Sequence, residues 1–178
     1  MDFKMDIAEP ENVVKYCLRC GSPTFLPQRD HSFKCDSCGF HFYLNSAAAV
    51  AALIVNEKKE LLLTIRGIEP GKGMLDLPGG FVDRNESAEE ALLREIREEL
   101  GLEIEDYKYF VSYPNEYVFS GFKVYTTDLG FICTVRDFQC MKAQDDISAF
   151  VFIKKEDIDY SRILGKSIRR MVQDFFNS

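Results

Sequence analysis

Glu95, Glu98 and Glu99 fall at i, i+3 and i+4 in one short run, and Cys17, Cys20, Cys35 and Cys38 fall as two Cys-x2-Cys pairs. On a helix, carboxylates at that spacing share one side, within an arc of roughly 100°. Like charges so close repel, and no lysine stands between them to form the usual i, i+4 pairs. A hard divalent cation resolves the conflict, because Mg2+ (or Mn2+) prefers carboxylate oxygens and water and leaves positions open for phosphate. By the same repulsion, loss of one carboxylate is expected to leave the metal-free fold at least as stable as before. The cysteine pairs enclose 14 residues. That spacing is compatible with the knuckles of a zinc ribbon, in which four thiolates close a structural Zn2+ site and exclude water. His31 and His41, the alternative ligands, read as ordinary polar residues.

The glutamates need a helix. Ser87 and Glu90 form a capping box and Gly101 a left-handed stop, so the helix is expected over residues 88–100. Leu92, Leu93, Ile96 and Leu100 then face the core, while Glu90, Arg94 and Arg97 are placed on the far side. Upstream, the apolar run 47–55 and residues 60–66 read as two strands of a hairpin about Asn56-Glu57-Lys58-Lys59. Residues 69–80 read as a loop containing a candidate short strand at 75–77. Downstream, 107–118 and 121–135 read as strands joined at Ser120-Gly121, with another at 147–153. Ile163, Leu164, Ile168, Met171, Val172 and Phe175 recur at helical spacing, so a covering helix is expected over 162–176. Cys133 and Cys140 read as small buried hydrophobes.

Gly80, then Glu86 after five residues, then Arg94-Glu95-Ile96-Arg97-Glu98-Glu99-Leu100-Gly101-Leu102 after seven more, resembles the box of the Nudix hydrolases. That resemblance, over about residues 47–176, implies an α+β fold, an α/β/α sandwich with a mixed sheet. It also implies cations held by Glu95, Glu98, Glu99 and the Gly79 carbonyl, and a structural Glu86–Arg94 pair. Asp145 and Asp146 precede a strand as the family's acidic loop does, which makes Asp146 a further candidate for the metal and for the catalytic set. Arg66, Lys72 and Gly80 are candidate substrate contacts. A four-cysteine ribbon ahead of such a domain is similar to the NADH pyrophosphatase group, which implies a homodimer and a nucleotide substrate. That group's SQPWPFPxS element begins eleven residues after the box, where Ser112-Tyr113-Pro114-Asn115-Glu116-Tyr117-Val118-Phe119-Ser120 stands. Ser112, Pro114 and Ser120 match, Tyr117 replaces a phenylalanine, and the tryptophan and two prolines are missing. The implied reaction is Mg-dependent cleavage of the phosphoanhydride in a nucleoside diphosphate linked to another group, of the NADH/NAD or ADP-ribose type. Tyr113, Tyr117 and Phe119 are the aromatics left to take the tryptophan's place against a base. The alternative is a nucleotide-metabolite-sensing regulator that uses the zinc ribbon for macromolecular contact.

The 178 residues are expected to divide near Asn45, into a ribbon module over 1–45 and a catalytic domain over 46–178. A net charge of −7 argues against binding a nucleic-acid backbone, and any anionic substrate then needs cations or local basic residues. The charged first residues and the lack of a long apolar run point to a cytoplasmic protein without membrane spans. In a reducing cytosol the cysteine pairs favour metal over disulfides.

Overall fold

The computed structural model describes residues 7–144 and 146–178. Residues 1–6 and Asp145 lie outside the described set. The chain forms two units, one taking the chain up to Ser46 together with Glu116–Tyr125, the other Ala47–Asn115 with Thr126–Ser178.

In the first unit, Phe25–Pro27 (β1), Ser32–Cys35 (β2) and His41–Tyr43 (β3) pair antiparallel in the order β1-β2-β3. Its core is small: Phe25 and Phe33 stack at 5.5 Å and are buried with Cys17 and Cys35. The two Cys-x2-Cys turns close alike. Gly21 and Gly39, each following a second cysteine, take positive φ and donate their amides to the carbonyls of Cys17 and Cys35. A short helix, Pro10–Val13 (α1), follows Glu9. The Glu9 carboxylate accepts from the Lys123 ammonium and, at 2.7 Å, from the Tyr125 hydroxyl, which ties residues 116–125 to the segment before α1. Lys123 is buried and also faces Glu116 at 3.6 Å, so its charge is compensated from two sides.

The second unit is layered. Ala47–Ile54 (β4) pairs in parallel with Phe122–Val135 (β8), which in turn neighbours Ile104–Phe119 (β7). Leu61–Arg66 (β5) lies between Leu75–Asp76 (β6) and Ile147–Ile153 (β9), antiparallel to both. The helix Ala88–Leu100 (α2) covers one face: Val50, Ala52, Ile54 and Leu62 pack with Leu92, Ile96 and Leu100. Lys166–Asn177 (α3) covers the other, where Ala51, Leu53, Leu61 and Leu63 meet Met171 and Val172. Burial on both faces explains why β4 and β5 are almost uninterrupted apolar runs. The result is an α/β/α arrangement about mixed strand pairing.

The expected strands form, but the expected hairpin does not. Its turn exists, with the Asn56 carboxamide accepting from the amides of Lys58 and Glu60 at 2.9 and 3.0 Å. Only one bridge, Val55 to Leu61, joins the two runs. Both edges of β4 are already taken: β8 holds one, and on the other the Val50 and Ala52 amides donate to the carbonyls of Gly80 and Pro78. β5 therefore pairs elsewhere. The final helix also starts later than residue 162. Tyr160–Arg162 is a 3-10 turn, Ile163 bridges to Leu75, and Gly165 at φ 73° breaks the run before Lys166. No side chain caps α3; instead the Asp128 carboxylate accepts from the Ser167 hydroxyl in its first turn and from Thr126 at 2.6 Å. Negative charge at that end suits the helix dipole. Cys133 is buried as expected, whereas Cys140 is exposed because it falls in the turn beyond β8.

Candidate active site

The carboxylates stand on a helix with the expected ends. Ser87 Oγ accepts from the Glu90 amide at 3.1 Å, the Glu90 carboxylate accepts from the Ser87 amide at 2.8 Å, and Gly101 closes the helix at φ 66°. Facing the helix is the loop 78–82, pinned to β4 by the Pro78 and Gly80 carbonyls and by the Val82 amide, which donates to Ala48. Two glycines permit this approach. A Cβ on Gly79, whose φ is 144°, would lie 2.1 Å from the Val50 carbonyl oxygen, and one on Gly80 would lie 2.5 Å from the Glu95 carboxylate carbon. The Gly79 amide donates to Glu99 Oε2 at 3.0 Å, so the loop and the buried Glu99 fix each other.

Arg94 corrects the placement made from spacing. It is not on a far side: Nη1 donates to Glu95 at 2.7 Å and to Glu98 at 3.1 Å. Nε and Nη2 grip Glu86 at 2.8 Å each, and Nη2 also reaches the Phe81 carbonyl at 2.9 Å. Residues four apart adjoin on a helix, and an arginine is long enough to span its neighbours. Hydrogen bonds from Arg94, aided by the Asp83 amide, pull the Glu86 carboxyl down to about 2 and hold the guanidinium charged. The carboxylates are therefore not left to repel one another unpartnered, as the spacing suggested: Arg94 pairs with Glu95 and Glu98, and the Gly79 amide donates to Glu99. Their oxygens do not close into a cage; among the described residues only the four cysteines place three or more ligand atoms within 4.8 Å of one another.

The remaining candidates divide. The Asp146 carbonyl accepts from the Gly67 amide at 2.7 Å, which places this exposed residue beside the end of β5. Arg66 Nε donates to the Pro70 carbonyl at 2.9 Å and Nη1 to Asp76 at 3.2 Å. Lys72 is exposed in the same loop. Asp76, which spacing did not single out, is pushed up to about 6 by burial, against the pull of Arg66. Tyr113 is turned to α3: its hydroxyl donates to Asp174, and the Arg170 guanidinium lies over its ring at 4.4 Å. It is thus occupied by the fold, whereas Phe119 is exposed. In the first unit, Cys17 and Cys38 Sγ lie 3.7 Å apart, as do Cys20 and Cys35. His41 instead meets Ser32, through Nε2 at 2.7 Å.

The site is thus a glycine loop laid on an acidic helix behind a Glu86–Arg94 fork. The sequence model of the NUDIX domain matches residues 45–175. The chain belongs to the NUDIX domain family. Among curated NUDIX relatives, the ADP-ribose pyrophosphatase of Methanocaldococcus jannaschii is 48% identical over 63 residues, which is 35% of this chain and 37% of that protein. The NAD-capped RNA hydrolase NudC of Deinococcus radiodurans is 32% identical over 103 residues, 56% of this chain and 36% of that one. The chain thus spans little more than a third of the length of these relatives. The NUDIX fold recurs in the crystal structure of a NUDIX hydrolase from Nitrosomonas europaea, with a TM-score of 0.70 over 92% of this chain and 91% of that one at 19% identity. Among the described residues no helix is long and apolar enough to cross a membrane.

Proposed function

We propose that this chain is a pyrophosphohydrolase that cuts the phosphoanhydride of a nucleoside diphosphate joined to a second group, of the NADH/NAD or ADP-ribose type. The observation that carries the reading is the loop 78–82 held against Glu95 and Glu99, with glycine where any Cβ would strike the Glu95 carboxylate. This is a cradle of hard oxygen donors with its walls fixed in advance. The donor chemistry fits Mg2+ or Mn2+, with Glu95, Glu98, Glu99 and the Gly79 carbonyl as the holding groups and Asp146 as a further acid from the β9 side. When bound, the cation supplies a polarised water and neutralises charge building on phosphorus. The chain's own residues do the positioning. Glu86 fixes Arg94, Arg94 fixes the Phe81 carbonyl and orients Glu95 and Glu98, and Arg66 and Lys72 offer positive charge to the phosphates. A carboxylate of the set takes the proton from the attacking water.

The names of the pyrophosphatase and NudC relatives support this substrate class, and the missing tryptophan in the Ser112 segment keeps ADP-ribose beside the dinucleotides. For the cysteines we read a structural Zn2+. Tetrahedral Zn–S bonds of about 2.3 Å put the sulfurs about 3.8 Å apart, near the 3.7 Å found here and far from a disulfide's ~2 Å. Thiolates kept for metal fit a reducing cytoplasm.

The test is turnover with Mg2+ of NADH, NAD, ADP-ribose, diadenosine polyphosphates, nucleotide sugars and nucleoside triphosphates, with products resolved by chromatography. A mononucleotide product from NADH, NAD or ADP-ribose is expected. Glu99→Gln, which keeps an acceptor for the Gly79 amide, should cost about 10²-fold or more in kcat. Cleavage of triphosphates alone would overturn the substrate class, and tight binding without turnover would favour a nucleotide-sensing role.

A further inference from the structure

The proposed site is rich in negative charge and short of positive. Glu86, Glu95 and Glu98 surround the guanidinium of Arg94, and Glu99 lies on the same helix, in a chain of net charge −7. A diphosphate needs a cationic group that these glutamates do not engage and that keeps a free N–H edge, and one that is rigid enough to favour a single pose. Arg66 meets both conditions.

Arg66 lies on the α2 face of the sheet. Its ladder partner Ile147 packs in the α2 cluster, as does Leu62 four residues back on the same strand. Its guanidinium is held on two sides, by the Pro70 carbonyl at Nε and by Asp76 at Nη1, and Nη2 makes no hydrogen bond with the described residues. The side chain retains 24% of its exposure, so the free edge is reachable while the charge is only partly screened. Asp76 is the holding group. It stands opposite Thr64 in the β5–β6 register, its second oxygen accepts from the Leu77 amide at 2.9 Å, and the Thr64 hydroxyl bonds its carbonyl at 3.3 Å. Three residues on, Gly79 binds Glu99. One short segment thus fixes both the cationic arm and the carboxylate wall.

We infer that Asp76 is a positioning residue that holds the Arg66 guanidinium as the anion-binding arm for the substrate's diphosphate. The inference rests on the hydrolase reading for its substrate and adds a specific division of labour: Arg66 touches phosphate, and Asp76 acts only through Arg66. Burial disfavours the charge of Asp76, and a neutral side chain in its place would leave the guanidinium free to swing.

The test is a double-mutant cycle on full-length protein with Arg66→Ala, Asp76→Ala and both, followed by KM and kcat with Mg2+ and the best panel substrate. In parallel, calorimetry measures equilibrium binding of ADP-ribose. Arg66→Ala should raise KM about tenfold or more while kcat stays within about threefold, as loss of one charged phosphate contact predicts. Asp76→Ala should raise KM in the same direction, and the double variant should be no worse than Arg66→Ala alone. Arg66→Lys, which keeps charge and loses the fork, should recover only part of the affinity, and melting temperatures identify any variant whose loss is one of folding. Additive effects on KM, or an Asp76→Ala that lowers the melting temperature and leaves KM unchanged, would overturn the inference. If the wild type turned over no substrate, binding decides: ADP-ribose affinity lost in both single variants supports the arm, and affinity unchanged in either overturns it. Failure of the wild type to bind ADP-ribose at all overturns it too.

Discussion

Glu86 shows how much of this site is organised by one side chain that acts through its partner, Arg94. Arg94 holds its carboxyl near 2, below the ordinary value of 4.5, so the ionised form is favoured by the fold. A group depressed in this way adds stability above its unfolded pKa and loses it as pH falls through the folded one. The window is therefore pH 4.5 down to about 2. Melting curves of wild type and Glu86→Gln are expected to differ by a constant amount from pH 5 to 7 and to converge as pH drops toward 2. A gap that stays constant below pH 4 would remove Glu86 from that role. Arg94 itself was visible in the sequence but misplaced there. Spacing records where a Cα–Cβ bond points, and a guanidinium on four further bonds reaches Glu86, Glu95 and Glu98 together.

At the scale of elements, the loop 78–82 separates two glycines that look alike in sequence. Gly79→Ala would force a methyl group onto the Val50 carbonyl at φ 144°, and both are backbone constraints that cannot yield cheaply. It is expected to cost about 2–3 kcal/mol or more and to lower the melting temperature clearly. Gly80→Ala meets only the end of the Glu95 side chain, so that carboxylate can swing aside. Its melting temperature should stay near wild type while kcat falls by an order of magnitude or more. Paired thermal denaturation and turnover would separate the two, and equal effects on both readouts would refute the distinction. The capping box at Ser87 and the stop at Gly101 were legible because each is settled within a few residues. The pairing of β5 was not, since it depends on β8 and loop 78–82 reaching the edges of β4 first, and neither adjoins β5 in sequence. Asp76 was missed for a similar reason. Its partner Arg66 is ten residues away and becomes a neighbour only once β5 and β6 pair.

On the scale of the whole molecule, the cysteine cluster and the Glu9–Lys123 contact hold the first unit in different ways. Protein purified without added zinc is expected to carry one Zn2+ per chain. Stripping it with a strong chelator should unfold the first unit, because its core is only Phe25, Phe33 and their few neighbours. Metal analysis and thiol reactivity check this; no metal together with four freely reacting thiols would end the zinc reading. The Glu9–Lys123 contact sets a timetable. The partners are 114 residues apart, and at translation rates of about 5–20 residues per second the lysine is made roughly ten seconds after the glutamate. All four cysteines are made early in that interval. The segment that carries Glu9 thus waits for its partner, and until the lysine arrives the first unit has its sulfurs and its small sheet to hold it.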